Sequence, residues 1–98
     1  MELISRIRTA TRQTLIDLYR YEIAAADILV NETKPEFEGD YTVVLFSFVK
    51  ELKRKPEQLG NELGEALLKE NPDIFSAFNV IKGFLNLTVS DRSWLDFL

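Results

Sequence analysis

The sequence predicts an α+β fold: a small, mostly antiparallel sheet with helices packed on one face, formed by residues 1–98 as a single domain. Three observations carry this reading. The N-terminal part repeats apolar residues at helical spacing, a proline-initiated amphipathic segment follows, and the final third holds two strand-forming runs around a two-residue turn. At 98 residues and 46% apolar, the chain is sized for one core and has no room for a second.

From Leu3 to about Tyr19, the residues Leu3, Ile4, Ile7, Thr11, Leu15 and Leu18 recur at three- and four-residue spacing, with Arg6, Arg12, Gln13 and Asp17 on the other faces. This is an amphipathic helix. Ile23 to Asp27 adds a short helical turn, and Ile28-Leu29-Val30 is a β-prone run closed by Asn31, Glu32 and Thr33. Pro35 and Gly39 mark a loop. Tyr41 to Val49 pulls both ways: Tyr-Thr-Val-Val-Leu-Phe is rich in strand formers, yet Leu45, Phe48, Val49 and Leu52 keep helical spacing. The reading adopted is helix from about Thr42, capped by Asp40 or Thr42, with Lys53, Arg54 and Lys55 at the negative end of its dipole.

Pro56 at a first helical position, Glu57 in the first turn, and Leu59, Leu63, Ala66 and Leu67 on one face define the next helix, which Asn71-Pro72 ends. Gly60 and Gly64 within it each cost about 1 kcal/mol relative to alanine, a cost that close approach by a neighbouring element would explain. Phe75 to Val89 reads as a hairpin around Lys82-Gly83, with the glycine supplying a positive φ. That loop sets the register. Ile81 opposes Phe84, Asn79 opposes Asn86 and Ala77 opposes Thr88 on one face; Val80 with Leu85, Phe78 with Leu87 and Ser76 with Val89 form the other. The second face is the core side. Ser90 then caps a closing helix from about Asp91 that buries some of Trp94, Leu95, Phe97 and Leu98.

Composition narrows the chemistry. Without cysteine there is no disulfide, thiolate nucleophile or zinc-thiolate site, and without histidine the commonest general base and metal ligand is missing. No paired carboxylates mark a pocket and no phosphate-cradling glycine motif occurs, so no catalytic and no metal-binding residue is assigned. No apolar run is long enough to span a bilayer and the N-terminus lacks a signal-peptide pattern, so the expected location is cytoplasmic, with no membrane partner. A net charge of −4 and a pI of about 4.8 argue against sequence-blind binding of nucleic acid, DNA included. The charge is uneven: Glu22 to Asp40 is acidic, Lys50, Lys53, Arg54 and Lys55 cluster, and Arg6, Arg8, Arg12 and Arg20 dot the first segment. The basic groups read first as solvated helix faces, with local RNA contact as the alternative.

With helices on one side only, the sheet's other face is open and carries Phe84 among Asn79, Asn86, Ala77 and Thr88. An outward aromatic beside amides is a platform for an unstacked base, with an amide to bond the base edge. The plainer alternative is a Phe84 covered by the closing helix or by another domain.

Gly83-Phe84-Leu85-Asn86-Leu87 is similar to the Gly-Phe-Ile-Asn-Phe segment of the arginyl-tRNA synthetase N-terminal domain. Lys34-Pro35-Glu36-Phe37-Glu38-Gly39-Asp40-Tyr41 resembles that family's Pro-x-Phe-Gly-Asp-Tyr segment, and Lys55-Pro56-Glu57-Gln58-Leu59 its helix-opening proline, in the same order. The resemblance implies the additional domain that contacts the D-loop at the outer corner of tRNA(Arg), in a longer class I synthetase. Position by position, it implies the stacking ring at Phe84 and the amide at Asn86. Lys82 and Asn79 join them as RNA-contact candidates, while Gly39, Asp40, Tyr41 and Gly83 are read as structural: a loop glycine, a helix cap, a packed ring and a turn glycine. Two departures stand out, an extra Glu38 before Gly39 and Val44 where the family often has asparagine; Val44 receives no site role.

The implied parent reaction joins arginine to tRNA(Arg) using ATP with Mg in a catalytic domain outside these 98 residues. The class I signatures, one with two histidines and the other with two lysines flanking Met-Ser, are absent here, so ATP and arginine are not expected to bind this chain. Expected partners are the tRNA(Arg) D-loop and the parent's own catalytic domain. The alternative function is a non-catalytic docking or dimerisation domain that uses the open sheet face, with Ile81 and Phe84 as apolar anchors.

Overall fold

The N-terminal apolar repeat forms helix α1, Leu3–Tyr19, in a computed structural model that describes residues 2–90. Its buried side is Leu3, Ile7, Thr11, Thr14 and Leu15. Thr11 and Thr14 can be buried because their hydroxyls donate back to the carbonyls of Ile7 (2.7 Å) and Ala10 (2.8 Å). Leu18, expected on this side, is 45% exposed, because the buried stripe ends at Leu15 and the helix ends a turn later. The N-terminal arginines are tied down: Arg8 Nε donates to the Ile28 carbonyl (3.0 Å) and Arg12 Nε to that of Ile23 (3.1 Å), holding the returning chain against α1.

After a 3-10 turn at Ala25–Asp27 come strands β1 (Val30–Glu32) and β2 (Tyr41–Val44), helices α2 (Phe46–Leu52) and α3 (Pro56–Glu70), and strands β3 (Phe75–Ile81) and β4 (Phe84–Val89). The sheet order is β1-β2-β4-β3, antiparallel throughout. The α+β class and mostly antiparallel sheet expected from sequence are what is found.

The largest departure from expectation is at Tyr41. The helix placed from Thr42 starts only at Phe46; Tyr41–Val44 is instead an inner strand, paired with β1 on one side and β4 on the other. Two sets of ladder hydrogen bonds and the β-branched run outweigh a helical spacing that holds only downstream. Asp40 and Thr42 therefore cap no helix. Asp40 Oδ2 accepts the Val89 backbone N–H at 2.8 Å, and its own N–H donates to the Leu87 carbonyl at 2.8 Å, so it ties the start of β2 to β4. β1 likewise begins at Val30, two residues later than Ile28.

The hairpin has the register set by its turn: Ile81 opposite Phe84, Val80 opposite Leu85, Asn79 opposite Asn86, Phe78 opposite Leu87 and Ala77 opposite Thr88. An irregularity between Phe75 and Ala77 then puts Phe75, not Ser76, opposite Val89, which lets the Phe75 ring enter the core. The turn itself differs too. Lys82 holds the positive φ (55°), and Gly83 is required for room instead, since a Cβ there would overlap the Phe46 ring. The closing helix expected after Ser90 lies outside the described residues.

The core joins Leu3, Ile7 and Leu15 of α1, Phe48 of α2, and Leu59, Leu63 and Leu67 of α3 to Val43, Leu85, Leu87 and Val89 of the sheet. Gly60 and Gly64 are where β3 meets α3: added Cβ atoms would collide with Val80 and with the Phe78 ring. Outside this layer, the Tyr19 hydroxyl donates to the Glu62 carboxylate, while the Arg54 guanidinium lies 4.8 Å from the Tyr19 ring and 3.5 Å from Glu62. Burial, and then the hydrogen bond to Glu62, push the Tyr19 phenol above its usual range.

Candidate nucleic-acid interface

Strand alternation decides what the second sheet face presents. Leu85, Leu87 and Val89 point into the core, so Phe84, Asn86 and Thr88 of β4 point away from it, with Asn79 and Ile81 beside them on β3 and Thr42 and Val44 on β2. Phe84 is half-buried; its ring lies 5.5 Å from that of Phe46 at 82°, and the Lys34 ammonium stands 5.8 Å from its centroid. These contacts fix the ring and leave part of it exposed. Beside it is a crevice of about 300 Å³, counting its open mouth, with Asn31, Glu32, Lys34 and Phe37 around Phe84 and Asn86.

Asn86 has no exposed surface. The loop from Thr33 to Asp40 crosses over it, and Gly39 (φ 138°) lies so close that a Cβ there would sit 3.2 Å from the Asn86 Cβ. A chain of hydrogen bonds runs beneath this loop. Thr42 Oγ1 donates to Asn86 Oδ1 (2.5 Å), Asn86 Nδ2 to Asn79 Oδ1 (2.9 Å), and Asn79 Nδ2 to the Glu38 carbonyl (2.7 Å). Thr33 Oγ1 stands 3.0 Å from Thr42 Oγ1. Thr42 has one hydroxyl hydrogen, and the carbonyl oxygen of Asn86 can only accept it, so Thr33 must be the donor in the Thr33–Thr42 pair. The same logic fixes the Asn86 amide with its oxygen toward β2 and its nitrogen toward β3. Among the described residues no buried side-chain polar atom is left without a partner.

The structure thus brings Phe84, Asn86 and Asn79 together on one face, with Asn86 on its floor and Asn79 half-buried. Lys82 is exposed at the turn, away from that floor and close to Lys55 and the start of α3. Tyr41, half-buried, packs against the core edge, and the extra Glu38 supplies the carbonyl that ends the hydrogen-bond chain. Sequence reasoning missed Thr33, Lys34, Thr42 and Phe46. Thr42 and Thr33 were hidden by the helix assignment, because only a strand at Tyr41–Val44 sets Thr42 opposite Asn86 and Asn31 opposite Thr42. Phe46 had a signal, an apolar residue off the spacing of Leu45, Phe48 and Val49.

Among the described residues no group of three or more Asp or Glu side chains could hold a metal ion. No helix among them is long and apolar enough to cross a membrane.

Residues 5–89 match the family model of the arginyl tRNA synthetase N terminal domain. An arginine–tRNA ligase of Bacteroides fragilis is 44% identical over 98 residues, covering 100% of this chain and 16% of the ligase. That of Bacteroides thetaiotaomicron is 46% identical over 81 residues, covering 83% of this chain and 13% of the ligase. Among solved structures, the arginyl-tRNA synthetase of Thermus thermophilus superposes with a TM-score of 0.77 over 98% of this chain and 15% of that one, at 24% identity, a likeness of fold. The chain therefore spans only a small part of the length of the ligases it matches.

Proposed function

The chain belongs to the arginyl-tRNA synthetase N-terminal domain family, and on that premise we propose that it is the tRNA-recognition domain of a cytoplasmic arginine–tRNA ligase, contacting the D-loop at the outer corner of tRNA(Arg). The ligase joins arginine to tRNA(Arg) with ATP and Mg in a catalytic domain that these residues do not form. Phe84 receives an unstacked base on its ring. Asn86 meets the base edge from the crevice floor, with one remaining Nδ2 hydrogen and one remaining Oδ1 lone pair, as the Thr33–Asp40 loop yields over it. Asn79 carries the edge of this amide pair toward solvent, and Lys82 meets phosphate. The observation that carries the reading is Phe84 itself: a ring fixed by its neighbours yet partly exposed, on the sheet face turned away from the core.

The test is Phe84→Ala in the ligase. Base–aromatic stacking of about 1 to 3 kcal/mol predicts a fall in kcat/KM for tRNA of about five- to one-hundred-fold, with ATP and arginine parameters unchanged. A half-buried ring at this site also predicts an unfolding cost below the roughly 3 to 5 kcal/mol of a core phenylalanine. A large loss of melting temperature with unchanged tRNA kinetics would assign Phe84 to the fold instead.

A further inference from the structure

Phe46 is 56% exposed, a large share for a phenylalanine, yet its ring is held in place. It lies across Gly83, where any Cβ would overlap it, stands perpendicular to the Phe84 ring at 5.5 Å, and begins a helix anchored by the Leu45 N–H to Gly83 carbonyl hydrogen bond (2.9 Å). An exposed ring with a fixed orientation is costly to leave in water and costs little entropy to use. Exposed lysines lie on the segments next to it. Lys50 lies one helical turn further along the same side of α2, Lys82 precedes Gly83, and Lys55 lines a shallow hollow with Lys82, Pro56 and Glu57. With Lys34 beside Phe84, four exposed lysines lie on or next to the segments that carry the two rings, and none of them forms an ion pair among the described residues. In a chain of net charge −4, this gathering of unpaired positive charge is local.

We propose that Phe46 is a second nucleotide platform: the RNA strand continues from the base on Phe84 to the adjoining nucleotide, which stacks on Phe46 with its phosphate among Lys50, Lys55 and Lys82. This rests on the reading of Phe84 as an RNA contact and extends it. The occupant is a single-stranded, sharply turned RNA segment for two reasons. Stacked bases in a helix are parallel, whereas two platforms at 82° hold neighbouring bases splayed apart, as in a loop. A positively charged rim beside aromatic faces is also the complement of an unpaired strand, whose backbone and base faces are presented together.

The experiment is an NMR titration of the 98-residue chain with a stem-loop RNA carrying the D arm of tRNA(Arg), comparing wild type, Phe84→Ala, Phe46→Leu and Lys50→Glu/Lys82→Glu. Leucine at position 46 still fills the space over Gly83 and against Phe84 but has no flat face. The expected result is that the Phe46 and Phe84 ring signals shift together on saturation, that F46L weakens binding about fivefold or more, and that the double charge reversal flattens the salt dependence of the affinity. If F84A loses affinity and F46L binds as wild type, Phe46 only buttresses Phe84 and this inference alone falls. If F84A binds as wild type, or no ring signal moves, the reading of Phe84 falls and takes this one with it. Phe46 signals that move with protein concentration in the absence of RNA would make the occupant a second copy and overturn the inference.

Discussion

Replacing Thr42 by valine removes one hydroxyl from the middle of the hydrogen-bond chain that fixes the Asn86 amide. Thr42 is 6% exposed and Asn86 is fully buried, so water cannot take the lost place while the Thr33–Asp40 loop is closed. Valine has the same shape and suits a strand. The loss is therefore chemical: Asn86 Oδ1 loses the donor now at 2.5 Å, while half-buried Thr33 can turn to water. A buried acceptor left unpaired costs about 1 to 3 kcal/mol, partly offset by the better burial of a methyl group, for a net loss of about 1 to 2 kcal/mol. In a domain of this size each kcal/mol lowers the melting temperature by about 4 to 8 °C. The assay is urea and thermal unfolding of wild type, Thr42→Val, Asn86→Ala and the double variant. With Asn86 already gone, Thr42→Val should cost almost nothing, giving a coupling of about 1 kcal/mol or more. Additive costs, agreeing within about 0.5 kcal/mol, would refute the claim that Thr42 acts through Asn86.

Two further outcomes follow from the packing. Gly64→Ala should destabilise the chain by about 1 to 3 kcal/mol in denaturant titrations despite the higher helix propensity of alanine, because its Cβ meets the Phe78 ring; a gain in stability would refute the close approach of α3 and β3. Tyr19 should ionise above the ordinary tyrosine range in an ultraviolet pH titration, and Glu62→Gln should bring its titration back toward the ordinary value. Because its folded pKa is raised above the unfolded value of about 10, its contribution to stability is fully present below that pH and is lost as pH rises through the folded value; a Tyr19 that titrates at the ordinary value would refute the bond to Glu62.

What could be read in the sequence was local. Helix α3 is announced by Pro56 and its leucine stripe, and the hairpin register follows from the length of the turn, so the face carrying Phe84 and Asn86 is legible in the sequence alone. Burial on that face was not legible. It depends on a loop more than forty residues away in sequence folding over Asn86, through Asn79 to Glu38 and Thr42 to Asn86, and on β2 being a strand. Those contacts are long-range, and Tyr41–Val49 has strand composition and helical spacing at once because a strand gives way to a helix at Leu45. The turn glycine shows the same limit: its presence was legible, its reason, the Phe46 ring, was not.

The charge pattern constrains how such a domain can contribute to recognition. Counterion release from many phosphate contacts, the usual source of tight sequence-blind RNA binding, is weak for a chain of net charge −4. Four exposed lysines beside two rings can orient one loop but cannot hold a duplex, so the isolated chain should bind RNA weakly and with a shallow salt slope. Within the proposed ligase its effect would then be multiplicative. On the proposed reading, a contact worth only about 1 to 3 kcal/mol, tethered to a catalytic body that binds elsewhere on the same tRNA, would act at high effective concentration and would separate tRNAs that present the right loop from those that do not. Selection by such a contact would come from the difference between right and wrong loops and not from tightness: a domain that bound every RNA tightly would hold wrong tRNAs as firmly as right ones.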